Sequence, residues 1–188
     1  MKKILFSLSF TAFAITAIAQ LTIDNATFII QSGATVTVQG NLTSNASIQG
    51  TGLLRLNGTS LQTVDMGGNT IPNLELDNTA NATLVNTNTR IGNSLVFTNG
   101  KFQTGNLNLV LSPTATITGG NSSRFVWTNG GQLKKELTAD ISSFVLSVGE
   151  NSNYRPAYLT TTGSSYASAN FGVQVFGTAN PNTPPMVA

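Results

Sequence analysis

Short stretches of alternating apolar and polar residues return at near-constant intervals from about residue 28 to residue 118, separated by Asn, Gly and Thr. The pairs Val36/Val38, Leu54/Leu56, Leu74/Leu76 and Leu95/Phe97 mark the rhythm. Alternation with a period of two is the pattern of a strand that buries one face. When that pattern recurs roughly every twenty residues, it describes a solenoid whose coils bury their apolar sides against one another. TVTVQGNL (35–42), ASIQGTGLLRLNG (46–58), IPNLELDN (71–78), ATLVN (82–86) and NLNLVLS (106–112) supply the coils, and Ile117 closes the series before Gly119-Gly120. Asn57-Gly58 and Asn99-Gly100 are turn signals at matching places, because both residue types accept positive φ. Phe28-Ile29-Ile30 is expected to seal the apolar end of the stack. After residue 20 no window carries apolar residues at three-and-four spacing, so the expected class is all-β.

The pattern changes at about residue 121. SRFVWTNGGQLKKEL, SSFVLSVGENSNYRPAYLTTT and ASANFGVQVFG read as longer, more aromatic strands joined by hairpin turns at Asn129-Gly130-Gly131 and Gly149-Glu150-Asn151. The expected organisation is therefore a β-solenoid of roughly 20-residue coils over residues 20–120. A small antiparallel β-sheet or half-sandwich over 121–178 caps it. The tail NPNTPPMVA holds three prolines and reads as a Pro-rich linker or a truncated end over 179–188.

The first residues belong to export. Met1-Lys2-Lys3 supplies a basic start, Ile4 to Ile18 an apolar stretch, and Ala17-Ile18-Ala19 a small-x-small site before Gln20. Residues 1–19 are accordingly expected to be a secretory signal peptide cleaved after Ala19. A membrane anchor would need about twenty uninterrupted apolar residues, and Ser7, Ser9, Thr11 and Thr16 interrupt this shorter run. No later stretch is long enough to span a bilayer.

Removing that segment alters the charge balance. Without Lys2 and Lys3, seven basic residues face seven acidic ones, so the net charge falls from +2 to zero. Nucleic-acid binding needs a clustered basic footprint. Only Lys134-Lys135 approaches one, and with Glu136 next to it the pair reads as a solvated loop or strand edge. Charged residues make up 9% of the chain, while 21 Asn and 27 Thr carry its polarity. Thr favours strands, and Asn tolerates left-handed turns and bonds its own backbone.

With no His and no Cys, Ser-His-Asp and Cys-His catalysis and His- or Cys-ligated zinc are excluded within this chain. No cofactor or metal is expected. Two clusters remain as ligand-binding candidates. Glu75 and Asp77, two apart on one strand, point to the same side of the sheet. They suit Ca²⁺ or acid/base work on a glycan, or else simply form the polar outer face between core residues Leu74 and Leu76. Trp127, Tyr154 and Arg155 suit a stacking platform for sugars. The alternative for Trp127 is a place in the core of the C-terminal sheet. The structural role is favoured in both cases, by the alternation for Glu75 and Asp77 and by the place of Trp127 between Phe125-Val126 and the turn. Asp24 and Asp65 sit beside turns and are expected to cap backbone amides.

FVLSVGENSNYRPAYLT (144–160), GLLRLNGTSLQTV (52–64) and NGKFQTGNLNLVL (99–111) together resemble segments of repetitive β-solenoid-type surface and secreted proteins of Bacteroidota. The leader ending Ala-Ile-Ala-Gln is similar too. Ser147 stands where the group's Phe-Pro-Val-Gly version has Pro. The resemblance implies an outer-surface or extracellular, adhesin-like protein linked to type IX secretion, whose C-terminal sorting domain is not among these residues. The expectation is a non-enzymatic structural or adhesive segment, with surface glycans or other surface proteins as partners, and either further domains beyond Ala188 or a different route out of the cell. The alternative is a glycan-binding or polysaccharide-active β-helix module.

Overall fold

The computed structural model describes residues 19–163, 166–167 and 169–177. The expected signal peptide, Ala19 excepted, and the Pro-rich end lie outside the described residues. Those residues form strands and no helix, wound into a β-solenoid of about six turns. Each turn offers three strand positions. The first coil is β1 (Leu21–Ile23), β2 (Phe28–Ile30) and β3 (Thr35–Val38), and the second is β4 (Leu42–Ser44), β5 (Ile48–Gly50) and β6 (Leu53–Leu56). In the third, β7 (Gln62–Asp65) precedes β8 (Thr70–Asp77), a long strand that fills both remaining positions. The fourth coil repeats this with β9 (Ala82–Leu84) and β10 (Thr89–Asn99). The fifth is β11 (Phe102–Gln103), β12 (Leu109–Leu111) and β13 (Thr116–Thr118). The sixth is β14 (Val126–Trp127), β15 (Leu133–Leu137) and β16 (Phe144–Leu146), after which β17 (Val148–Glu150) returns to the first face.

Parallel register converts the sequence period into columns. Val36, Leu54, Leu74 and Leu95 are successive partners on the third face, with Val38, Leu56, Leu76 and Phe97 alongside. Ala82, Phe102, Val126 and Val148 form a column on the first face. Nearly all of these side chains are fully buried. Each inward residue thus covers the one below it, and every coil completes its neighbour's core. Left-handed backbone at Asn25, Asn81, Asn86 and Asn151, and at glycines such as Gly100 and Gly105, turns the chain at the corners. At Gly149 the need is for space: a Cβ would come within 2.7 Å of the Phe125 ring.

The parallel ladder crosses residue 120, where the solenoid was expected to give way to another module. β14 pairs with β11, β15 with β12 and β17 with β14, all parallel. The step from one coil to the next lengthens here, from 20 residues between Ala82 and Phe102 to 24 between Phe102 and Val126, which disguises the period. Antiparallel pairing does occupy the C-terminal end. The chain turns back after β17, and β18 (Asn153–Tyr154), β19 (Ala157–Leu159) and β20 (Ala169–Val173) pair in turn with β17, β16 and β15. The last coil is retraced face by face in the opposite direction. The cap is therefore a reversed coil continuous with the stack.

Two local expectations need correction. Phe28–Ile30 is the ordinary second strand of the first coil: Ile30 is buried, but Ile29 points outward and is 49% exposed. Lys134-Lys135 is neither loop nor edge, because β15 has β12 on one side and β20 on the other. Lys135 occupies the inward position above Leu111 and is only 2% exposed. Its ammonium donates to the carbonyls of Ser112 (2.7 Å), Pro113 (2.9 Å) and Ala115 (2.7 Å) and lies 4.6 Å from the Phe144 ring centroid. Three donors meet three acceptors of the turn after β12, and this makes a buried cation tolerable. Burial pushes the Lys135 ammonium below the ordinary lysine range, with the Glu136 charge acting the other way.

Lys135→Met keeps the length of the side chain and strips the donors from three carbonyls. A loss of about 1–3 kcal/mol is expected, read from the urea midpoint of the purified chain. An unchanged midpoint would show that the turn does not depend on this ammonium.

Candidate functional site

The outward positions form ladders of their own. Asn57, Asp77 and Asn99 stack on three successive coils, with Asp77 accepting from Asn57 Nδ2 (2.9 Å) and Asn99 Nδ2 (2.8 Å). Beside them Glu75 is buried and committed at both oxygens. Arg55 Nε donates to Oε2 at 2.6 Å and Thr98 Oγ1 to Oε1 at 2.7 Å. The hydrogen bond and charge of Glu75 raise the Arg55 guanidinium above its ordinary value. The expected shared face is real, since Glu75 and Asp77 sit on one side of β8. Neither carboxylate is presented for a ligand, because the coils above and below supply its partners. Among the described residues, no group of three or more acidic side chains converges as a metal site.

The turn aspartates behave similarly. Asp65 caps the Gly67 amide (3.1 Å), as expected, and also accepts from Asn86 Nδ2 (2.7 Å) and Thr87 Oγ1 (2.8 Å) on the next coil. Burial alone would raise its pKa. The bonds from Asn86, Gly67 and Thr87 outweigh burial and hold the carboxyl below the usual aspartate range. Asp24 accepts side-chain amides instead, from Asn45 (2.6 Å) and Asn25 (3.1 Å).

Trp127 is not in the core. Val126 takes the inward position, leaving Phe125 and Trp127 on the outer side of the first face, half-buried at Trp127 and fully covered at Phe125. The Phe125 ring lies over Gly149 and meets Tyr154 at 5.8 Å between centroids. Lys101, one coil earlier, extends across both rings, its Nζ 5.0 Å from the Phe125 centroid and 5.8 Å from that of Trp127. The ammonium ends on the Asn151 carbonyl at 2.5 Å. Lys101 therefore ties the fifth coil to the hairpin at which the chain reverses. Trp127 Nε1 is buried without a hydrogen-bond partner among the described residues. The structure thus draws Tyr154 into an aromatic cluster next to Trp127. Arg155 stays exposed, fixed by its backbone N–H, which donates to the Val148 carbonyl at 2.9 Å.

A groove of about 730 Å³ adjoins this cluster at the corner between the third and first faces. Turns of successive coils line it, with Asn81, Asn99 and Asn121 among the amides and Lys101 and Arg124 as the cations. Arg124 Nη1 donates to the Thr98 carbonyl at 2.8 Å. Lys101, Phe125, Arg124 and this groove were missed by sequence reasoning. The 24-residue step between Phe102 and Val126 hides the pairing of Lys101 with Phe125. The partners of Glu75 and Asp77 were within reach, since Arg55 and Asn57 each lie 20 residues upstream, one coil away.

No model of a known protein family matches the chain, and neither curated proteins nor solved structures yield a match.

The depressed Asp65 carboxyl contributes stability above the ordinary aspartate value of about 4. That contribution disappears as pH falls through the lower, folded-state titration. Asp65→Asn is expected to flatten this part of the acid-unfolding curve, with urea midpoints compared at neutral pH and below about pH 4. Equal acid sensitivity in both proteins would place the titration elsewhere. For the aromatic cluster, Lys101→Met should lower stability by roughly 0.5–2 kcal/mol and shift the emission of Trp127, the sole tryptophan. Emission identical to the parent's would mean the ammonium does not sit over the ring.

Proposed function

We propose that the chain is a non-enzymatic, exported structural or adhesive segment of a bacterial surface or secreted protein. The observation that carries this reading is the fate of the carboxylates that catalysis would need. Glu75 and Asp77 are tied into ladders by Arg55, Thr98, Asn57 and Asn99. General acid/base work requires groups free to exchange protons with a substrate at hydrogen-bond distance. Side chains locked between coils are suited to holding a rod together.

The stack itself supports the reading. Eight strands succeed one another on the first face, which at the usual strand spacing is a body roughly 35 Å long. Such a body is a rigid spacer with long outer faces for contact. The first strand begins at Leu21, next to the expected cleavage point after Ala19. The resemblance to surface proteins of Bacteroidota agrees with a role outside the cell, with surface glycans or neighbouring surface proteins as partners. A glycan-binding role is favoured by one specific observation, the polar corner groove with its two cations.

The test is made in the native host with an epitope tag in the exposed turn at Ser32–Gly33, away from the groove. The expected outcome is a product that starts at Gln20 and is digested by protease added to intact cells. Deletion of residues 20–177 should reduce attachment of the cells to surfaces, whereas the Glu75→Gln, Asp77→Asn double variant should preserve attachment. Retention inside the cell, or polysaccharide cleavage abolished by Glu75→Gln, would overturn the reading.

A further inference from the structure

We propose that the corner groove between the third and first faces is a binding site for an acidic saccharide, one bearing carboxylate or sulfate groups. It rests on the preceding reading only in requiring that the chain be exported.

The argument begins with charge. Lys101 and Arg124 both line the groove, and among the described residues no carboxylate does. Asp77 is bonded to the lining residue Asn99 (2.8 Å) and keeps its negative charge behind it, so the two cations exceed it by one. On a chain that is neutral once residues 1–19 are removed, two cations in one concave site create a local positive potential. The guanidinium uses one donor on Thr98 and has five in all, enough to hold a carboxylate or sulfate in the planar fork such anions prefer.

The amides point to a sugar as the bearer of that charge. Asn81 accepts the Lys101 N–H through Oδ1 (2.8 Å), which orients its NH₂. Asn121 does the same with the Ser123 N–H (2.9 Å). Asn99 has the reverse polarity, donating to Asp77 and leaving its carbonyl oxygen as an acceptor. Donors and an acceptor are therefore pre-oriented by bonds within the fold, an arrangement that lowers the cost of ordering them around a polyhydroxylated ligand. The groove's volume of about 730 Å³ lies within the usual range for ligand sites. It is open to solvent on one side, so a ligand can enter it from outside.

The experiment uses the full exported chain and measures binding by calorimetry to oligogalacturonate, dextran sulfate and neutral dextran, with sodium sulfate as the small-ion control. Binding of one or both acidic saccharides is expected, weakening as sodium chloride rises and at least tenfold weaker in Arg124→Gln. Because Arg124 also bonds Thr98, a second variant is needed. Ser122→Trp, at an exposed lining position, fills the groove without touching the core and should reduce binding equally. Neutral dextran bound as tightly as the acidic chains would overturn the proposal. So would sulfate ion as the sole ligand, acidic binding unaffected by either variant, or no binding to any probe. Those negative results together with retained surface attachment would reject the groove alone, whereas retention inside the cell rejects the export reading.

Discussion

Everything in this protein depends on parallel, in-register pairing between successive coils. A single coil has no core of its own: Leu74 is buried because Leu54 lies on one side of it and Leu95 on the other. The backbone ladder sets the spacing, and the inward columns supply the apolar area removed from water. Once register is established, the outward side chains are also brought into line, so the same constraint creates the Asn57–Asp77–Asn99 and Arg55–Glu75–Thr98 rows. Core, corners and polar faces are three consequences of one alignment.

This organisation explains how a chain without cysteine and with few charges holds its shape. Asparagine does much of the work that disulfides or salt bridges perform elsewhere. Asn41, Asn81, Asn88, Asn108 and Asn129 each accept a backbone N–H from a neighbouring coil. Such bonds cross the corners, where the strand ladders are interrupted, and satisfy amides that would otherwise lack partners. The half-buried Arg90–Glu136 pair (2.7 Å) spans two coils on the second face, but ion pairs this accessible to water contribute little beside an unbroken ladder.

The C-terminal end meets a different requirement. A solenoid that stopped after β17 would leave its last rung of backbone groups unpaired. Here the chain covers that rung with itself, β18, β19 and β20 running back over β17, β16 and β15. The reversal concentrates the unusual residues of the molecule: Gly149 under the Phe125 ring, Lys101 across the aromatic pair, and Lys135 closing a turn in the adjoining core. The corner groove lies beside this end, formed where the coil-to-coil step is longest.

Periodicity alone determined the all-β class, the roughly 20-residue coil and the inward identity of Leu54, Leu56, Leu74, Leu76, Leu95 and Phe97; the Asn-Gly signal held at Gly100, which has φ +82°, whereas neither Asn57 nor Gly58 takes positive φ. These depend on local alternation and on backbone conformations particular to Asn and Gly, which are properties of short segments. It also placed Glu75 and Asp77 on one face. Only the tertiary structure decided that Glu75 meets Arg55 and Thr98, that Lys135 stands in a core column, that Trp127 faces outward under Lys101, and that the chain doubles back after Glu150. Each of these depends on the register between segments some twenty or more residues apart. A shift of one residue there exchanges the buried and exposed faces of an entire strand, and the long step between the fifth and sixth coils removed the period from which that register was read.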